Sequence, residues 1–213
     1  SRGLGDVYKR QVWDSIPMQL AKENKKFFFG QIKKGARSSE FEIAIQWLLD
    51  CGLVYKVNRV NEPHMPLKAY KNMNAYKLFV LDVGLLGAMS ELPAESILEG
   101  NDIFVEFKGA LTEQYVLQQL ISDTPYTPYY YGNEKATFEQ DFLIQKAKSI
   151  VPIEVKAEQN IRSHSLKTYC EKFQPEEAVR FSTLKYKEQE RMVNIPLYLS
   201  LIHISEPTRQ AEI

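Results

Sequence analysis

Two carboxylates and a lysine stand out in the stretch FEQDFLIQKAKSIVPIEVK, residues 138–156: Asp141, then Glu154 two positions ahead of Lys156. Bare charges of this kind are costly to bury. They make sense around a hard divalent cation, which takes oxygen ligands, with the ammonium left free to hold a phosphate or an attacking water. The spacing works only if the chain doubles back. Phe138 to Ile144 and Ile150 to Val155 are β-branched and aromatic runs separated by the polar Gln145-Lys146-Ala147-Lys148-Ser149, which reads as a hairpin with a short loop. A reversal near Ala147 or Lys148 puts Asp141 opposite Ile153 or Glu154 in an antiparallel ladder. Side-chain alternation then sets Glu154 and Lys156 on one face, with Ile153 and Val155 on the other.

The elements around this hairpin follow from periodicity. From Glu106 to Ile121 the apolar positions Phe107, Ala110, Leu111, Leu117, Leu120 and Ile121 trace one stripe of a helix, and Glu113 falls on or near that buried face. Glu113 either holds the metal, directly or through water, or forms a structural bridge to Lys156 or an arginine; the site role is favoured. Tyr126 to Tyr131 supplies a strand beside the hairpin, its tyrosines serving packing rather than base stacking. Beyond Lys156, AEQNIRSHSLKTYCEKF begins as a polar loop and continues as a helix capped by Ser163 or Ser165. His164 is read as a capping or exposed histidine. Ala178 to Thr183 is a further strand, and Ile195 to Tyr198 closes the domain.

Upstream, Asp14-Ser15-Ile16-Pro17 offers a cap with proline in the first turn, leading into MQLAKENKKF. Ser38 or Ser39 caps a second helix, on which Phe41, Ile45, Leu48 and Leu49 recur at helical spacing until Gly52 stops it. Leu53 to Val57 is a strand. Lys25, Lys26, Lys33, Lys34 and Arg37 are able to touch phosphates, but the favoured reading is a solvated face of a packing module. After a turn-rich connector, Tyr76 to Asp82 is a strand and VGLLGAM a helix or tight turn that Asp82 caps.

Asp141, then Glu154-x-Lys156 after a hairpin, with a helix-borne Glu113 upstream, resembles the signature of the PD-(D/E)XK nuclease-like fold. More narrowly, SIVPIEVKAEQNIRSHSL resembles the C-terminal domain of unknown function of a large prokaryotic family of predicted AAA-type ATPases, and the likeness runs from about Val12 to Tyr198. FFFGQIKKGARSSEFEIAIQWLLDCGLVYKV is similar to the winged-helix segment that follows the ATPase core in that family, and AYKLFVLDVGLLGAM to a structural segment of it. The resemblance implies an α/β chain: a small winged-helix module over 12–62, a connector with a short strand and helix over 63–105, and a mixed-sheet, restriction-endonuclease-like domain over 106–198. It implies catalytic Glu113, Asp141, Glu154 and Lys156, with Glu113, Asp141 and Glu154 holding magnesium or manganese. Asn160, Arg162 and Ser165 match the family's polar run, with Asn160 and Arg162 as phosphate ligands. The family carries an aliphatic residue between Glu139 and Asp141; Gln140 here is expected to bear on packing rather than on the ligands. The implied partners are DNA, an upstream ATPase domain of the same chain and, where the chain self-associates, a second copy.

Composition sets the outer bounds. The formal net charge is zero over 213 residues, which argues against a strong nonspecific nucleic-acid binder and leaves room for a local basic patch. No apolar run reaches the length of a membrane span, and Cys51 and Cys170 lack metal-ligand spacing, so a reduced cytoplasmic setting is expected. No Gly-x-x-x-x-Gly-Lys-Ser/Thr sequence occurs; any ATP site is expected upstream of Val12. SRGLGDVYKRQ at residues 1–11 back-translates to a transposase-type sequencing adapter, and LSLIHISEPTR at 199–209 to its reverse complement. Residues 1–11 and 199–213 are therefore read as library artefacts of a metagenomic fragment, His203 included. The function expected is metal-dependent phosphodiester hydrolysis on DNA. The alternatives are a catalytically silent regulatory or interaction domain of the ATPase, and a winged-helix DNA binder, against which the non-basic run Phe41 to Asp50 counts.

Overall fold

A computed structural model describes residues 2–22, 25–35, 37–93, 105–132, 138–157 and 164–199. The chain divides into two compact units, Ser1–Asn58 with Met73–Gln114, and Arg59–Asn72 with Tyr115–Ile213. Both mix helix and strand.

The first unit contains α1 (Arg2–Leu20), α2 (Ser38–Asp50), most of β1 (Val54–Val60) and β2 (Lys71–Val80), α3 (Val83–Met89) and the start of α4 (Val105–Asp123). β1 and β2 are hydrogen-bonded neighbours. Val12, Ile16 and Leu20 recur every four residues on α1 and are buried, as are Phe41, Ala44, Ile45 and Leu48 on α2. Aromatic rings extend this core: Phe27 stacks on Tyr76 at 5.8 Å, and Phe29 lies 6.0 Å from Phe41.

Four helix ends show what local sequence decides and what it leaves open. α2 stops as expected: Gly52 takes φ +68, its N–H bonds the Leu49 carbonyl and that of Leu53 bonds the Leu48 carbonyl, both at 3.0 Å. That pair of bonds is a Schellman motif, and the left-handed residue it needs is cheapest as glycine. Asp82 caps α3 as expected, accepting the Leu85 N–H at 2.9 Å. The start of α2 differs, because Arg37 is the capping position and makes no side-chain capping bond. Ser38 and Ser39 already lie in the first turn, exposed, where water can satisfy the leading N–H groups. α1 differs too. It runs unbroken through Asp14, keeps Pro17 in its last turn and ends at Leu20, with Ala21 N–H on the Pro17 carbonyl at 3.0 Å. A proline near either end of a helix leaves the same local signature, and only the state of the preceding residues separates the two.

The second unit contains the end of α4, β3 (Tyr129–Gly132), β4 (Glu139–Lys146), β5 (Ser149–Val155), α5 (His164–Phe173), β6 (Ala178–Ser182), β7 (Lys187–Gln189) and β8 (Met192–Pro196). Its strands lie in the order β3-β4-β5-β6-β8-β7. β3, β4 and β5 form an antiparallel meander, β6 joins parallel to β5 and β8 parallel to β6, and β7 closes the edge antiparallel to β8. The sheet is mixed, as expected. α5 covers β4 and β5 with Leu166 and Tyr169, and Tyr169 joins Val60, Leu67, Tyr129, Tyr131 and Leu143 in one buried cluster. The three tyrosines of β3 are thus core residues, as their sequence context suggests. Ser165 lies inside the first turn of α5 rather than capping it, and Ser163 falls outside the described residues. β7 was not legible: Lys187-Glu188-Gln189 is exposed throughout and has no apolar alternation to betray a strand.

Candidate functional site at the end of the β4–β5 hairpin

The hairpin sets the geometry. Its ladder runs from Lys146↔Ser149 to Phe142↔Ile153, so the chain reverses at Ala147 and Lys148, with Ala147 at φ +49. One further step along that register puts Asp141 opposite Glu154. On its other side β4 pairs with β3 irregularly: Tyr129↔Leu143 but Tyr131↔Gln140, two steps on β3 against three on β4. The extra residue is a bulge at Asp141 and Phe142, a device that re-aims side chains and interrupts a ladder.

Past the last ladder pair, side chains also join the strands. Asp141 Oδ2 accepts the Val155 N–H at 2.8 Å. Gln140 Nε2 donates to the Ile153 carbonyl at 2.7 Å and to Glu154 Oε2 at 3.1 Å. Lys156 Nζ lies 2.8 Å from Glu154 Oε1. Glu154 is buried and Lys156 is only partly so, which leaves the ammonium reachable from water. The structure therefore brings Asp141, Glu154 and Lys156 together at one end of the sheet.

Gln140 requires a correction. Expected to bear on packing alone, it is fully buried and holds the carboxylate of a proposed ligand, while its Oε1 has no hydrogen-bond partner among the described residues. The bulge explains the difference, because strict alternation gives no reason for Gln140 to engage Glu154.

A second missed residue is Arg180. It is Glu154's lateral neighbour on β6, only 7 % exposed, and its Nε donates to Asn194 Oδ1 at 2.9 Å. Asn194 is the next lateral neighbour on β8, and its Oδ1 also accepts from Ser182 Oγ at 2.8 Å. A polar row thus crosses the sheet from Gln140 through Glu154 and Arg180 to Asn194. Burial lowers the Arg180 pKa and the Glu154 charge opposes that change. The signal was present in the sequence: an arginine midway through the apolar strand AVRFS needs a buried partner.

Glu113 lies in the first unit. One of its oxygens pairs with Lys25, and the other lies 4.0 Å from the fully buried Lys77 Nζ. Within that unit Lys25 and Lys77 are ion-pair partners of Glu113. Its neighbour Gln114 closes two bonds on Val80, accepting its N–H at 3.1 Å and donating to its carbonyl at 2.8 Å. Asn160 and Arg162 fall outside the described residues.

Among the described residues no three His, Cys, Asp or Glu side chains gather so as to hold a metal ion. The donor set at the hairpin is instead two carboxylates on adjoining strands. That fits magnesium, which usually keeps several waters and uses one or two carboxylates together with substrate phosphate oxygens. No helix among the described residues is long and apolar enough to cross a membrane.

Residues 108–200 match a family described as a domain of unknown function, DUF4143, and residues 7–96 match a second, DUF8612. The second match begins ahead of Val12. No curated protein and no solved structure matches the chain. The DUF4143 match is consistent with the C-terminal region of an ATPase family.

Proposed function

We propose that Asp141, Glu154 and Lys156 form the centre of a metal-assisted phosphodiesterase acting on DNA, in a PD-(D/E)XK nuclease-like unit that follows a winged-helix module. The observation that carries this reading is the approach of Lys156 Nζ to within 2.8 Å of Glu154 Oε1 beside a carboxylate on the neighbouring strand. The mixed sheet flanked by helices supports it, and the DUF4143 match supports an ATPase-family context.

Asp141 and Glu154 would hold magnesium or manganese, which when bound supplies Lewis-acid polarisation of a phosphoryl oxygen. The chain's own residues do the rest. Gln140 and Lys156 fix the two oxygens of Glu154, so the carboxylate is oriented before substrate arrives. The Asp141 bond to the Val155 N–H holds the second carboxylate against the turn of backbone that leads to Lys156. Lys156, partly exposed, orients the attacking water and offsets the negative charge that develops on the phosphate.

One observation favours a second reading, a silent polar network serving regulation or interaction: both Glu154 oxygens are already engaged, and the described residues gather no third acid. A calorimetric manganese titration of the chain, beside Asp141→Asn and Glu154→Gln, separates the two. The catalytic reading expects saturable binding in the parent that both variants lose. An inert parent with an intact circular dichroism spectrum leaves the regulatory reading.

A further inference from the structure

We propose that Lys22, Lys26, Phe28, Lys33, Lys34 and Arg37, between α1 and α2, form a binding surface for the backbone of single-stranded nucleic acid, with Phe28 as the platform on which a base stacks. This surface belongs to the first unit and does not rest on the reading of Asp141 and Glu154.

The charge is concentrated there. The protein as a whole is formally neutral, yet this segment carries Lys22, Lys25, Lys26, Lys33, Lys34 and Arg37 against the single acid Glu23. Lys22, Lys33, Lys34 and Arg37 are exposed, and the last three make no ion pair among the described residues. The outer face of α2 bears exposed Glu40, Glu42 and Asp50, which repel phosphate and direct a polyanion away from that helix.

The backbone at Phe27 and Phe28 is anchored by two hydrogen bonds. The Phe27 N–H bonds the Tyr76 carbonyl at 2.7 Å, and the Phe28 N–H bonds Oε1 of the buried Gln19 at 2.6 Å. Gln19 is fixed in turn by Ser15 Oγ at 3.1 Å. A short turn, Phe29–Gln31, follows, and Lys22 Nζ reaches back to Gln31 Oε1 at 2.5 Å. Of three successive phenylalanines, Phe27 is buried and Phe29 partly buried, while Phe28 is 40 % exposed with Lys26 Nζ 5.4 Å from its ring centre. A merely solvated charge run has no need of an outward aromatic ring on a backbone anchored in this way. Anionic bilayers favour several apolar side chains on one surface, and here two of the three rings turn inward. A single exposed ring among cations is the arrangement that binds single strands, where phosphates meet the cations and a base stacks on the ring.

The test is fluorescence anisotropy of labelled oligothymidine with the full chain in EDTA, which removes any contribution from a metal. Duplex of mixed sequence and phosphatidylserine vesicles are titrated in parallel. The expected result is single-strand binding that weakens with salt, with the slope of log K against log salt reduced by about 2 in the Lys33→Gln/Lys34→Gln/Arg37→Gln protein, since each phosphate contact on a single strand contributes roughly 0.7. Phe28→Ala is expected to lose about 5- to 150-fold in affinity, the range for one stacked base. Lys167→Gln/Lys187→Gln, which neutralises exposed lysines of the second unit, is expected to match the parent. The proposal is overturned by no parental binding, by parental affinity and slope in the triple variant, by binding to vesicles alone, or by a preference for duplex that Phe28→Ala leaves untouched. Manganese binding is read separately, so either proposal can fail without the other.

Discussion

Glu154 is a buried carboxylate with Gln140 on one oxygen, Lys156 on the other and Arg180 as its neighbour across the sheet. Hydrogen bonds to charged groups typically contribute about 1.5–3 kcal/mol, and Gln140 supplies one. Gln140→Leu is therefore expected to lower unfolding stability by about that amount in urea; an unchanged midpoint would remove Gln140 from its assigned role. Glu113 presents a different balance, since it sits between Lys25 and the fully buried Lys77. Deleting one partner of a buried ion pair strands the other charge and costs about 3–5 kcal/mol. Glu113→Ala is expected to show a loss of that size while keeping the parental manganese isotherm. Loss of manganese binding in a folded Glu113→Gln protein would instead support Glu113 as a metal ligand.

At the scale of elements, two ends of local structure can be tested without touching the site. Gly52 terminates α2 at φ +68, and an added Cβ would meet nothing within 4 Å, so Gly52→Ala isolates the conformational cost. That cost is about 1–2 kcal/mol for a non-glycine residue held left-handed. Asp82→Ala removes the cap of α3 and is expected to cost about 1 kcal/mol. Chemical denaturation of both variants checks the two values, and a Gly52→Ala midpoint equal to the parent's would contradict the left-handed conformation. The β4–β5 hairpin was readable because its two apolar runs and polar turn leave one sensible reversal. Its bulge was not, because an extra residue in one strand becomes visible only against the partner, here Tyr129–Gly132 of β3.

Across the whole molecule, the two cysteines report on burial. Cys51 is exposed, whereas Cys170 is half-buried, and burial pushes its thiol above the usual range, with Arg191 opposing and Glu171 reinforcing the shift. A raised thiol pKa means less thiolate at neutral pH and slower alkylation. Under native conditions iodoacetamide is expected to modify Cys51 well before Cys170, and raising the pH should accelerate Cys170 over a higher range than a free thiol; mass spectrometry of a time course measures both. Equal rates would mean that α5 does not protect Cys170.

Local sequence by itself determined much of this protein. Apolar spacing marked α2, α4 and the hairpin, Gly52 and Asp82 marked helix ends, and Asp141, Glu154 and Lys156 were legible as a set because a single reversal brings them together. Such features depend on residues close in sequence, within a helix or across one hairpin. Tertiary structure alone decided that Gln140 grips Glu154, that Arg180 and Asn194 extend the polar row across β6 and β8, and that Glu113 pairs with Lys25 and Lys77. Those partners lie on different strands or far apart in the chain, up to 88 positions for Lys25 and Glu113. The physical reason is the same in each case: a buried charge must be paired, but its own neighbourhood in sequence does not say which distant strand or loop carries the partner.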